Sequence, residues 1–348
     1  MERQVGVGIV GCGVMGRAHA EALGKIKNAK LRGMFDSSAE KAGQLANEFS
    51  TTAHNTLAEL LADKEIDVIN VCTPNGLHMQ PTLDAFAAGK HVLVEKPLEI
   101  DLSRAQRMVD AGRVAGRKLG VVFQFRFRPV FEYVKKTVEN HRLGTITIAE
   151  ASVKWYRSPE YFQTAPWRGT WAFDGGGALM NQGIHFIDLL LWLAGPARSV
   201  FGEAATLLHR IEVEDTLAAV LRFQSGALGV FQGTTTAFPH VSDRVELVGT
   251  KGSIRVENGR LAFKYLSDED GEEVGTYGLK ELTGWTNPER LRFASTEGHV
   301  EQIADFVEAV ATDREPAVGG KEGQRSLEVV RAIYDSIRTK SEVMVSAS

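Results

Sequence analysis

Three side chains have the types and spacing for a catalytic site: Lys96 and His185, which can hold or move a proton, and Asn181, which can orient a hydroxyl. Lys96 lies in Glu95-Lys96-Pro97, directly after the apolar run His91 to Val94. A lysine at a strand end can hydrogen-bond a substrate hydroxyl and stabilise its oxygen as charge develops. A cationic ring beside it would lower its pKa and favour proton exchange. The alternative is a solvated surface lysine, the usual fate of this residue. Asn181 and His185 lie four apart after Gly175-Gly176-Gly177, so a helix puts them on one face. The near-neutral reference pKa of His185 suits a base that takes a hydroxyl proton. Its alternative is a buried, satisfied histidine under a sheet. Ile184, Ile187, Leu190 and Leu191 read as core.

Around these stands a stretch rich in aromatic and arginine side chains: Trp155, Tyr156, Arg157, Tyr161, Trp167, Arg168 and Trp171. Aromatic faces stack on sugar or nicotinamide rings, and guanidinium groups bind hydroxyls and carboxylates. The same residues would serve as a packed cover over a sheet. Arg126 and Arg128 either line the cleft or make a basic contact between domains. His19, His78 and His299 read as caps or core residues. The sequence offers no metal-ligand cluster and no nucleophile triad.

The element that must place a cofactor beside these groups is the start of the chain. Val5 to Val10 is an apolar strand, followed by Gly11, Gly13 and Gly16 in the spacing G-x-G-x-x-G and then by helix-like sequence. This order is the dinucleotide-binding fingerprint. Gly11 permits a tight turn, Gly13 lets a pyrophosphate approach the backbone, and Gly16 packs the helix on the strand. The N-terminal turn of that helix, Val14 and Met15 included, offers free N–H groups to the phosphates. A second apolar stretch, Ala29 to Phe35, ends in Asp36, placed to accept from the ribose hydroxyls. The carboxylate favours NAD, with NADP as the alternative that Ser37 and Ser38 leave open.

The 348 residues suit two domains, and 43% apolar residues are ample for their cores. Residues 1–124 alternate strand and helix patterns, which predicts an α/β unit, a doubly wound parallel sheet. Its strand ends bring Asp36, Thr73, Glu95, Lys96 and Gln124 to one edge. Ser103 is expected to cap a helix reaching Lys118, and Leu119 to Gln124 to form a strand. From residue 125 to 348 the pattern changes. A helix at Pro129–Glu139 and another at Gly177–Ala194 precede strands in series joined by turns such as Asn258-Gly259. That predicts an α+β domain with a mostly antiparallel sheet, whose last helices are free to pack back on the first domain. Residues 266–297 carry no assignment. A net charge of −4 gives no field for nucleic acid or an anionic membrane, and no apolar run reaches membrane-spanning length. The first strand leaves no room for a signal peptide. Cys12 and Cys72 lack metal or redox spacing and read as reduced thiols of a cytoplasmic protein.

GCGVMG with Asp36, CTPNGLH at 72–78, GKHVLVEKPL at 89–98 and GGGALMNQGIHFIDLL at 175–190 carry a resemblance. VGTKGSI at 248–254 and EGQRSLEVVRAIYDS at 322–336 extend it over essentially the whole chain. The sequence resembles the glucose-fructose oxidoreductase/inositol dehydrogenase/rhizopine catabolism protein family. The resemblance implies a Rossmann domain, then an open-faced sheet that builds dimers or tetramers. It implies Lys96 as catalytic lysine and His185 as acid/base. It also implies cofactor contacts from the glycine loop, Asp36, Thr73, Pro74, Asn75, His78, Glu95 and Lys96. Inositol dehydrogenases usually have an aspartate where this chain has Asn181, and an amide orients a hydroxyl without titrating. The expected activity is therefore NAD-dependent oxidation of a sugar, sugar acid, nucleotide sugar or polyol. Two alternatives are a glycoside hydrolase that retains its NAD and a non-catalytic sensor.

Overall fold

The computed structural model describes residues 4–267 and 298–345. The unassigned stretch 266–297 lies almost wholly outside them. The first layer set runs β1 (Val5–Val10), α1 (Val14–Leu23), β2 (Ala29–Phe35), α2 (Ala39–Glu48), β3 (Thr52–Ala53) and α3 (Leu57–Ala62). It continues with β4 (Val68–Val71), α4 (Met79–Ala87), β5 (His91–Val94), α5 (Leu102–Ala115) and β6 (Leu119–Val121). The six strands form one parallel sheet in the order β3-β2-β1-β4-β5-β6. Strands covered on both faces read as unbroken apolar runs, and β1 and β4 are buried at every position. Asp36, Thr73, Glu95 and Lys96 follow the carboxyl ends of β2, β4 and β5, the edge where such sheets bind ligands.

Two expectations need correction here. Asp101, not Ser103, caps α5; its carboxylate accepts from the Arg104 N–H, and Ser103 instead donates to Asp101. The strand β6 stops at Val121, and Gln124 begins a single 3₁₀ turn to Phe127.

The second layer set holds α6 (Pro129–Glu139), β7 (Ile146–Lys154), α7 (Pro159–Gln163) and α8 (Ile184–Ala194). Then follow β8 (Ala197–Ala205), β9 (Thr216–Phe223), β10 (Leu228–Thr234), β11 (Ser242–Gly249), β12 (Gly252–Glu257) and β13 (Arg260–Leu266). The chain closes with α9 (His299–Thr312), α10 (Gly320–Thr339) and β14 (Val343–Met344). The eight strands order as β13-β12-β11-β7-β10-β9-β8-β14. All pairs are antiparallel except β7 with β10. One face carries Ala149, Ala151, Val153, Leu221, Phe231 and Leu247, buried under α8 and α10. The other face keeps Ile148, Phe201, Val220 and Leu228 exposed. The helix α9 packs on α1 and β1, while α10 packs on α5 and β6 as well as on the second sheet. No described helix is long and apolar enough to cross a membrane.

Candidate active site

At the glycine loop, Gly11 has a φ of 98°, and a Cβ there would lie 2.6 Å from the Cys72 carbonyl oxygen. Only glycine meets both conditions. A Cβ on Gly13 would meet nothing, so its backbone faces open space. α1 begins on Gly13, and the N–H groups of its first turn, Val14 to Gly16, precede the first i to i+4 bond, from Arg17 to Gly13. Half-buried Asp36 accepts from Cys12 N–H at 2.7 Å and Ser38 N–H at 2.8 Å. The Ser37 hydroxyl lies at the limit of a third bond, 3.5 Å away; a carboxylate has about four lone-pair sites, so acceptor capacity remains for a ribose hydroxyl. An open, donor-lined cradle with an acid beside it fits a dinucleotide.

Lys96 emerges from the end of β5 and donates to the backbone oxygen of Asn181 at 3.1 Å, with Asn181 Oδ1 at 3.5 Å. Burial pushes its pKa down, opposed by Glu95 and Asp174 and assisted by Arg168 and Arg157. Asn181 sits in a π-helical turn, Leu179–Gly183, that leads into α8. Such wide turns recur at functional sites. His185 follows in the first turn of α8, its ring stacked on Phe125 at 4.8 Å. Burial, and then the charge of Lys96, push its pKa well below the ordinary value. It is a neutral imidazole at neutral pH, and its Nδ1 makes no hydrogen bond to the described residues.

The three glycines make this helix entry possible. A Cβ at Gly175 would strike Ile100, one at Gly176 the Tyr334 hydroxyl, and one at Gly177 the Glu214 carbonyl oxygen. Glu214 accepts from the N–H groups of Gly177 and Leu179 and from Tyr334 Oη. Burial raises its pKa to about 7 against those hydrogen bonds.

Two family profiles match the chain. One, described as an oxidoreductase family with an NAD-binding Rossmann fold, covers residues 5–123. The other, the GFO/IDH/MocA C-terminal domain, covers residues 131–255. The solved WlbA dehydrogenase from Bordetella pertussis, in complex with NADH and UDP-GlcNAcA, is 31% identical with a TM-score of 0.89. The match covers 100% of this chain and 99% of that one. The chain belongs to the GFO/IDH/MocA oxidoreductase family. The myo-inositol 2-dehydrogenase of Thermotoga maritima is 28% identical over 97% of both proteins. The 1,5-anhydro-D-fructose reductase of Ensifer adhaerens is 28% identical over 95% of this chain and 96% of that one. This chain is accordingly an NAD-dependent oxidoreductase.

Within this family framework the side chains of several residues expected at the site are engaged by the protein itself. Arg126 does not reach for substrate: it grips Asp188 of α8 through two bonds of 2.7 and 2.6 Å, with only 10% of its side chain exposed. His78 is fully buried, its ring nitrogens 2.8 and 3.0 Å from the carbonyl oxygens of Pro97 and Thr73. It builds the turn and leaves no ring nitrogen for a cofactor. The Glu95 carboxylate turns inward to His19 at 2.9 Å, and His19 in turn meets Asn70 at 3.0 Å. Burial would raise Glu95, but the hydrogen bond from His19 and the nearness of His19, His299 and Lys96 bring it to about 2. The Asn75 side chain is also buried and donates to Asp174. Thr73 Oγ1 donates to the Leu77 carbonyl, and Pro74 leads into the 3₁₀ turn Asn75–Leu77. Gln124 is buried, and its Oε1 has no hydrogen-bond partner among the described residues.

The aromatic–arginine loop is assembled. Arg168 lies over both Tyr161 and Trp167 and donates to Tyr161 Oη. Arg157 lies over Trp155 and Tyr161 and donates to the Tyr156 carbonyl. Asp174 is a residue that reading the sequence missed. It is 2% exposed and joins Asn75, Gly169 and Asn181 through its carboxylate. Its position directly before the three glycines was the available signal.

Proposed function

We propose that this protein oxidises a secondary hydroxyl of a sugar or sugar derivative, with Lys96, Asn181 and His185 around the reacting oxygen. The observation that carries this reading is the lysine at the carboxyl end of β5, hydrogen-bonded to Asn181 one helical turn before a buried neutral histidine. Bound NAD supplies the hydride acceptor. Lys96 donates a hydrogen bond to the hydroxyl oxygen and steadies the charge that grows there as the carbinol C–H bond breaks. His185 takes the hydroxyl proton, and a ketone is left. Asn181 orients the sugar.

Tyr156, Arg157, Tyr161, Trp167 and Arg168 form the wall on which the sugar lies. The Arg157 and Arg168 guanidinium groups in that wall would suit a sugar with an acidic substituent. The relative solved with UDP-GlcNAcA supports a substrate of that class. A carboxylate at Asp36 supports NAD over NADP. The apolar outer face of the second sheet supports assembly into a homodimer or homotetramer. Two free thiols suit a reducing, cytoplasmic setting.

The test is a panel of sugars, sugar acids and polyols assayed for NAD reduction by wild type, Lys96→Met and His185→Ala. Losses of about 10²-fold or more are expected for Lys96→Met and roughly 10²–10⁴-fold for His185→Ala. Near-normal kcat in both variants would sink the assignment.

A further inference from the structure

Asp174 precedes the helix that carries Asn181 and His185, and it is 2% exposed. Its carboxylate accepts from three directions. Gly169 N–H of the aromatic loop donates at 2.8 Å, Asn75 Nδ2 of the turn after β4 at 3.0 Å, and Asn181 Nδ2 closely as well. On its other side, the Asn181 amide presents Oδ1 to Lys96 Nζ at 3.5 Å. The amide therefore stands between an anion and a cation. An amide has an acceptor end and a donor end. With its NH₂ toward the carboxylate and its oxygen toward the ammonium, both ends are satisfied. Turned over, both ends face a like partial charge, and the buried groups lose their hydrogen bonds.

We propose that Asp174 is a positioning residue for the reaction: its carboxylate locks the Asn181 amide with the oxygen toward Lys96, and so, together with the Asn181 backbone oxygen at 3.1 Å, sets where the Lys96 ammonium stands. The proposal rests on the reading of Lys96 as the group at the reacting oxygen. It assigns to this branch of the family a carboxylate that acts through an amide rather than standing in contact with the lysine. A carboxylate in direct contact would hold the lysine's proton tightly. Through the amide, Asp174 holds it less tightly, and Lys96 gives its proton up more readily.

The groups that bear on Lys96 are Glu95 and Asp174, which favour its charged form, and Arg168 and Arg157, which with burial disfavour it; the neighbouring His185 is neutral and adds no charge. Lys96 and Arg168 are the cations that act on Asp174. Removing the Asp174 charge therefore lowers the pKa of Lys96 and frees the amide to turn.

The experiment is kcat and KM against pH in the oxidation direction for wild type, Asp174→Asn and Asp174→Glu, each also in a Lys96→Met background. Asp174→Asn is isosteric, and its melting curve checks the fold. It is expected to lose roughly ten-fold or more in kcat and to move the basic limb of the profile, where the Lys96 ammonium loses its proton, downward. Asp174→Glu keeps the charge but misplaces it, so kcat falls while the limb stays. In the Lys96→Met background neither variant should cost anything further, because residues that act through one another are not additive. An unmoved limb in Asp174→Asn, or equal losses with and without Lys96, would show Asp174 to be merely structural and overturn the proposal. Full activity of Lys96→Met alone would instead overturn the reading on which it rests.

Discussion

Replacing Arg126 by methionine separates a structural ion pair from a substrate contact. The guanidinium makes two charge-assisted bonds to Asp188, at 2.7 and 2.6 Å, and the Asp188 side chain is 1% exposed. Methionine keeps part of the apolar stem that packs beside Trp192. What it removes is the partner of a buried carboxylate, a loss of about 3–5 kcal/mol. Ser326 Oγ still donates to Asp188 at 3.1 Å, which favours the lower end of that range. Burial already pushes the Asp188 carboxyl up, with Arg126 opposing it; without Arg126 it rises further. A carboxyl raised in the folded state contributes stability below its unfolded pKa and loses it as pH rises through the folded value. The penalty in Arg126→Met must therefore grow with pH. Urea unfolding at about pH 5.5 and about pH 8 reads it directly. The double variant Arg126→Met/Asp188→Leu should recover most of the loss, because no unpaired charge is left. A penalty under about 1 kcal/mol, or one that ignores pH, would refute the reasoning. So would a raised KM on unchanged stability, which would return Arg126 to the substrate.

Two further outcomes follow from the cradle and the open sheet. Asp36→Ala should weaken NAD binding by about ten-fold or more, the worth of hydrogen bonds to a charged group. It should also narrow the preference over NADP; parallel titrations with both cofactors check this, and an unchanged ratio would deny Asp36 its role. Val220, 48% exposed, pairs with Phe201, 41% exposed, on the uncovered sheet face. Val220→Lys should lower the mass seen by light scattering, whereas a wild type already monomeric at micromolar concentration would count against assembly there.

The cofactor half of the site was legible because its signals are local. G-x-G-x-x-G and the acid at the end of β2 each lie within one strand–turn–helix unit, where spacing alone dictates geometry. The places of Lys96 and His185 in the fold were legible for a related reason: each sits at the end or start of an element whose period is plain. The pairings were not legible. Arg126 meets Asp188 across 62 residues, His19 meets Glu95 across 76, and Asn75 meets Asp174 across 99. Each pair joins elements far apart in the chain, and Asn75 with Asp174 also joins the two domains. The same holds for the parallel pair β7–β10, since strands that follow one another with tight turns read as antiparallel. The π-turn at Leu179–Gly183 leaves no mark on an apolar periodicity, and neither does the inward turn of His78 toward two carbonyl oxygens.

The central claim is that a carbinol hydrogen leaves this protein's substrate for NAD, with Lys96 at the oxygen. The direct measurement uses a turned-over sugar deuterated at the oxidised carbon, and follows both the label and the ratio of NADH to ketone. The account predicts deuterium in the reduced nicotinamide, one NADH for each ketone formed, and loss of both in Lys96→Met. A released sugar with no net NADH would contradict it and mark a glycoside hydrolase that retains its cofactor. Label transfer undiminished in Lys96→Met would contradict the placement of the lysine.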